Sequence, residues 1–217
     1  MQKPPSPQIS VIVPLAQGDE TWRELLPRLP ENGESLFAAN APPPPDWMEK
    51  PGRRWIQCAK SGRGAQMNTA AEAANGEFLW FVHADTRLPE NAAAVLQKSL
   101  AAEPRAVHYF DLRFYDGGRR MFFNEIGARL RCAFFGNPFG DQALCLPRAA
   151  FMELGGYSEN TAPGEDHIFV LRAARAGLRA RRVGAAAGTS ARTYLKRGWW
   201  RTVLEYQKIW LRQWRER

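Results

Sequence analysis

Five apolar residues, Phe78-Leu-Trp-Phe-Val82, run without a break into His83-Ala84-Asp85-Thr86. A run that short and that apolar fits a strand buried on both faces, the usual state of strands in parallel sheets. Ligands of open α/β sheets bind just beyond the carboxyl ends of the strands. The abrupt change of character at His83 therefore marks a candidate crevice. Ile9-Ser-Val-Ile-Val-Pro14 is a second strand of the same kind, ending at Pro14.

Other segments alternate between the two periodicities. Trp22, Leu25, Leu26 and Leu29 share one side of a helix. Ser35–Ala39 and Trp55–Cys58 are weaker strands, separated by Ala41-Pro-Pro-Pro-Pro-Asp46, whose prolines supply no backbone donors and fix an extended loop. Residues 65–75, 90–102, 119–135 and 165–176 have helical character, while 106–115 and 143–146 are strand-like. A long basic and aromatic helix is expected over 195–215. Strands alternating with helices predict an α/β domain with a mainly parallel sheet.

Charge is unevenly placed. The chain of 217 residues carries a net charge of +8, but residues 171–217 hold 13 Lys/Arg against two acids, and the body is slightly acidic. A basic tail studded with Trp199, Trp200, Trp210 and Trp214 suits an anionic surface. Trp199 and Trp200 are expected to pack on the domain, Trp210 and Trp214 at an interface. Nucleic acid is the weaker partner, because no recognised DNA or RNA module accompanies the charge. Cys58, Cys132 and Cys145 are odd in number and form no Cys-x-x-Cys pair, which speaks against a disulfide framework or a structural zinc and suits a reducing compartment. Pro4, Pro5, Pro7 and Pro14 crowd the N-terminus, and no apolar stretch ends in a signal cleavage site. The expected location is cytoplasmic, peripheral on the inner face of the cell membrane.

Three clusters could carry chemistry. Asp85 is a hard oxygen ligand for Mg²⁺ or Mn²⁺, with His83 a second ligand, a phosphate donor or simply a hydrogen-bonded wall residue. Asp85 could also merely cap the next helix. Gly62-Arg63-Gly64-Ala65-Gln66-Met67-Asn68 resembles the opening of a dinucleotide fingerprint, but Met67 stands where the third glycine belongs. It reads either as a flexible turn or as a phosphate loop with Arg63 for charge and Asn68 for a polar contact. Glu165 and Asp166 open a helix, either as dipole-favoured first-turn acids or as a general base.

Taken in order, Ile9–Pro14, Gly62–Asn68, Gly76–Pro89, Gly140-Asp141-Gln142, Leu154–Tyr157, Glu165-Asp166 and Thr189–Arg192 resemble a family 2 glycosyltransferase of the GT-A fold. The resemblance is to the bacterial subgroup associated with radical-SAM and selenodomain proteins. It implies a GT-A domain over residues 1–194, followed by the basic extension 195–217. It also implies transfer of a sugar from a nucleotide-diphosphate donor to a hydroxyl, with inversion and a divalent metal (Mn²⁺ or Mg²⁺). By the same resemblance, Asp166 with Glu165 is the catalytic base pair, and Asp85 with His83 the metal site. Pro14, Asn40, Arg63, Gly64, Asn68, His83, Ala84 and Asp85 would line the nucleotide-sugar. Asp141 and Gln142 would meet the acceptor or sugar. The family's base-reading acid after the second strand is replaced by Ala39-Asn40-Ala41 and the prolines. The alternative reading is a catalytically impaired GT-A-like protein that binds a nucleotide, a partner or a membrane surface.

Overall fold

The computed structural model describes residues 8–30, 33–160 and 163–215. Pro4, Pro5 and Pro7 lie outside them. Strands are β1 (Ile9–Pro14), β2 (Glu34–Ala39), β3 (Arg53–Gln57), β4 (Phe78–Phe81), β5 (Ala106–Phe114), β6 (Cys145–Pro147) and β7 (Arg179–Thr189). Helices are α1 (Trp22–Leu25), α2 (Arg63–Ala73), α3 (Ala92–Ala102), α4 (Met121–Phe135), α5 (Arg148–Glu153), α6 (Glu165–Arg175), α7 (Arg192–Arg197) and α8 (Trp199–Arg215). Short 3₁₀ turns occupy Leu26–Arg28 and Gly140–Gln142.

All seven strands form one sheet in the order β3-β2-β1-β4-β6-β5-β7. Four of its pairings are parallel, and only the short β6 runs against its neighbours β4 and β5. Alternate residues feed two cores. Val11, Val13, Phe37, Trp80 and Phe110 pack on one side, and Ile12, Leu36, Leu79, Phe81 and Phe169 on the other. Burial of each large apolar side chain contributes about 1.5–3 kcal/mol. This two-sided burial explains why β1 and β4 are continuous apolar runs rather than alternating ones. The chain winds from β1 out to β3 and then returns past β1 to β4. The carboxyl ends of β1 and β4 therefore meet where the winding reverses, the place where open sheets bind ligands.

Two features depart from the sequence expectation. β7 was not foreseen: Arg179, Arg181, Arg182, Gly184 and a run of alanines lack strand propensity. Its position comes from β5, which pairs with it in parallel along most of its length, and from Arg182, which makes a bidentate contact with Asp111. The expected helix over 195–215 is also divided. Gly198, at φ +88°, sits between α7 and α8, a conformation that side chains with a Cβ rarely adopt.

A candidate active site at the carboxyl ends of β1 and β4

β4 leads through the buried Val82 to His83-Ala84-Asp85, of which His83 and Asp85 are half-buried and Ala84 is buried. α2 begins at Arg63, earlier than its alanine-rich stretch suggests, so Arg63 and Gly64 stand in its first turn. α6 begins at Glu165, which puts both acids at the amino end of a helix, where its dipole favours negative charge.

These three starts converge. Arg63 Nε donates to Glu165 Oε1 at 2.5 Å, and Arg63 Nη1 lies 3.4 Å from His83 Nε2. Because guanidinium only donates, His83 Nε2 is the acceptor. Burial, and then the Arg63 charge, push the His83 pKa down to about 3, so the imidazole is neutral. Asp166 accepts hydrogen bonds from the backbone N–H groups of Gly140 and His167. Burial alone would raise its pKa. The Arg63 charge and those two N–H groups outweigh burial and hold the carboxyl below its ordinary range. Gly140 is required by proximity: a Cβ there would stand 2.7 Å from Asp166 Oδ2 and 3.2 Å from His83 Nε2. The end of β4 and the start of α6 thus meet across one glycine.

Asp85 pairs with a different arginine. Its carboxylate lies 3.2 Å from Arg192 Nη2 at the start of α7. Burial raises its pKa against the pull of Arg192. Beyond the end of β1, an open cleft of about 670 Å³ is lined by residues 16–21, Glu24, Arg192 and Lys196. Arg192 therefore joins this cleft to Asp85. Its role was not foreseen: the sequence marked it only as the end of the Thr189–Arg192 block and gave it no contact.

Among the described residues, no cluster of three or more His, Cys, Asp or Glu side chains is arranged to hold a metal ion by itself. Asp85 suits an ion that takes one protein carboxylate and draws its other ligands from phosphate and water. The side chain of its partner Arg192 is about half exposed. His83 does not fit as the second ligand in this arrangement, since its Nε2 is turned toward a guanidinium.

Several of the remaining candidates serve as scaffold here. Asn40 donates to the carbonyls of Cys58 and Lys60 and accepts from Gln66, whose amide also holds the Leu15 carbonyl. Asn68 clasps the backbone of Tyr157 through both amide atoms. Gln142 donates to the Phe110 carbonyl and accepts from the N–H of Phe139, fixing the 140–142 turn. Pro14 and Ala84 are buried beside the crevice.

Asp141 differs. Its Oδ1 is buried without a hydrogen-bond partner, and burial, opposed by Arg131 and reinforced by Asp166, pushes its pKa up to about 6. A carboxyl whose folded pKa exceeds its unfolded value loses stability as pH rises between the two. Asp141→Asn is therefore expected to stabilise the protein by about 1–3 kcal/mol at pH 8 and by almost nothing in acid. Urea unfolding at both pH values checks this, and an equal effect at both would remove the buried-charge explanation.

Residues 45–151 match the family model described as Glycosyl transferase family 2. That stretch runs from the loop before β3 into α5 and carries Arg63, His83, Asp85, Gly140 and Asp141. Among solved structures, the chain is similar to the mannosyltransferase PcManGT from Pyrobaculum calidifontis, determined with GDP-Man and Mn²⁺. The TM-score is 0.67 at 18% identity, over 86% of this chain and 58% of that one. It is also similar to residues 1–349 of S. aureus TarS, with TM-score 0.63 and 17% identity over 84% of this chain and 60% of that one. The fold is GT-A. The TarS fragment has also been solved with UDP-GlcNAc, and this chain matches that structure at TM-score 0.59 and 15% identity, over 84% of its own length and 58% of the other. The chain spans about three fifths of the length of these GT-A structures. A comparison with curated proteins returned no match.

Three of the four tail tryptophans depart from the expected arrangement. Trp210 and Trp214 pack on Phe135 of α4, while Trp200 is mostly exposed. Trp199 does pack, donating from Nε1 to Asn124. Gln213, not singled out in the sequence, reaches His167 Nδ1 at 2.5 Å and so ties α8 to the start of α6 on this GT-A domain.

Proposed function

We propose that this chain is an inverting glycosyltransferase that moves a sugar from a nucleoside-diphosphate donor to an acceptor hydroxyl. The reading rests on one observation: Arg63, His83, Gly140 and the Glu165-Asp166 pair meet at the reversal point of a GT-A sheet.

Asp166 accepts the proton of the acceptor hydroxyl as its oxygen attacks the anomeric carbon. The bond from that carbon to the donor's diphosphate oxygen breaks on the opposite face, and the electron pair leaves with the diphosphate. Direct displacement of this kind inverts the anomeric centre. Arg63 adds positive charge beside the developing anion, and neutral His83 keeps the guanidinium in place. Asp85 would hold a divalent ion, which supplies charge neutralisation to the diphosphate when bound. The cleft beyond β1 would take the nucleoside, and the cations Arg192 and Lys196 on its wall would meet phosphate.

A panel of UDP- and GDP-sugars, assayed for donor hydrolysis with Mn²⁺, tests the reading. At least one donor should turn over. Asp85→Asn should then abolish the Mn²⁺ response and lower turnover by about 10²-fold or more, several kcal/mol of lost charge stabilisation. Undiminished Mn²⁺ stimulation in that variant would refute the assignment of Asp85.

A further inference from the structure

Residues 119–135 were expected to be helical, and the outer face of α4 is apolar. Phe122, Phe123, Ile126, Leu130 and Phe134 are 39–76% exposed. Only Met121, Ala128 and Cys132, on the opposite side of the helix, reach the core. Contiguous apolar surface of this kind marks an interaction site in a folded domain.

α8 runs beside α4 in the same direction. Trp199 bonds to Asn124 near the two starts, and Trp210 and Trp214 meet Phe135 at the end of α4. On a helix of 3.6 residues per turn, Trp200, Leu204 and Leu211 lie opposite the buried Thr202 and Gln213, so they too point away from the domain. The two exposed apolar rows therefore lie side by side on one surface.

The charge around this surface is mainly positive. Residues 192–215 hold seven Lys/Arg and a single acid, Glu205, which pairs with Arg197 at 3.6 Å. Arg119 and Arg120 lead into α4, whose own acid, Glu125, is engaged by Arg113 and the Phe114 N–H. Arg201, Lys208 and Arg212 fall on the flank of α8 turned away from α4. An aromatic and aliphatic centre with a cationic rim complements the interface of an anionic bilayer, where rings enter the headgroup boundary and long cations reach lipid phosphate. Among the described residues no helix is long and apolar enough to cross a membrane.

We propose that the paired outer faces of α4 and α8 form one docking surface for an anionic phospholipid bilayer. This goes beyond the transferase reading and beyond a tail acting alone, because α4 supplies most of the apolar contact. The docking helix also holds His167, next to Asp166, through Gln213.

Flotation with phosphatidylcholine vesicles, with and without phosphatidylglycerol, tests the surface independently of any sugar transfer. Binding should require phosphatidylglycerol and weaken as salt rises. Phe123→Ser with Phe134→Ser, both at exposed positions, should reduce binding about tenfold or more with unchanged circular dichroism. Phe134→Ser alone provides the same readout if the double variant misfolds. Four results would overturn the proposal: no flotation with phosphatidylglycerol at low salt, equal flotation with neutral vesicles, binding unaffected by the phenylalanine changes, or a wild-type dimer that those changes split while no vesicle is bound. The last would assign the face to a second copy of the chain.

Discussion

Asp166→Asn should lower the rate of sugar transfer by about 10²–10⁴-fold, the range of a general base, while the protein remains folded. The isosteric amide keeps an oxygen to accept from the Gly140 or His167 N–H but cannot take up a proton. In the wild type, burial is outweighed by Arg63 and the two N–H groups, so Asp166 is ionised throughout the neutral range. The acid limb of its pH–rate profile should therefore lie below the ordinary carboxylate range. An acid limb near neutrality, or a variant retaining a tenth or more of wild-type kcat, would assign the proton transfer to another group. Asp141 is the nearest rival by that test, because its pKa of about 6 would place a limb there.

Arg63→Met should produce the largest loss of stability of any single change in the crevice. Glu165, only 2% exposed, and Asp166 would be left buried without their shared cation. Removing one partner of a buried ion pair costs about 3–5 kcal/mol. The Arg63 side chain is itself 38% exposed, so solvent screening places the expected loss at the lower end, about 3 kcal/mol. The pH dependence carries the diagnosis. A carboxyl with a depressed folded pKa contributes stability above its unfolded pKa and loses it as pH falls through the folded value. The gap between wild type and variant should therefore be widest near neutral pH and narrow in acid. Urea titrations at the two extremes decide the matter, since a gap independent of pH would mean that Arg63 acts through packing alone.

The strongest parts of the fold were legible because burial on both faces leaves a mark in one dimension. β1 and β4 are unbroken apolar runs, and the polar turn after Val82 announces a ligand-facing strand end. Glu165 and Asp166 could be located at a helix start, and the ordered set of short blocks pointed to GT-A. β7 left no such mark, because its pairing is made by backbone groups and by Arg182 on Asp111. Residue type alone also could not separate scaffold from chemistry. Asn40, Asn68 and Gln142 looked like ligand contacts, yet each holds backbone atoms of the domain. The tryptophans of α8 misled for a related reason: Trp210 and Trp214 are covered by Phe135, a residue of another helix 75 and 79 positions earlier in the chain.

By itself, then, the amino-acid order determined which segments become buried strands, which helix begins with two acids, and that the basic charge gathers at the end of the chain. Those properties depend on neighbours along the chain and on the period of apolar residues. Only the tertiary structure decided that Arg63 stands between His83 and Glu165, that Gly140 must lack a side chain beside Asp166, and that α4 and α8 turn their apolar rows the same way. Each of these depends on contacts between segments distant in sequence, and the energy of such contacts is set by distance and burial in space.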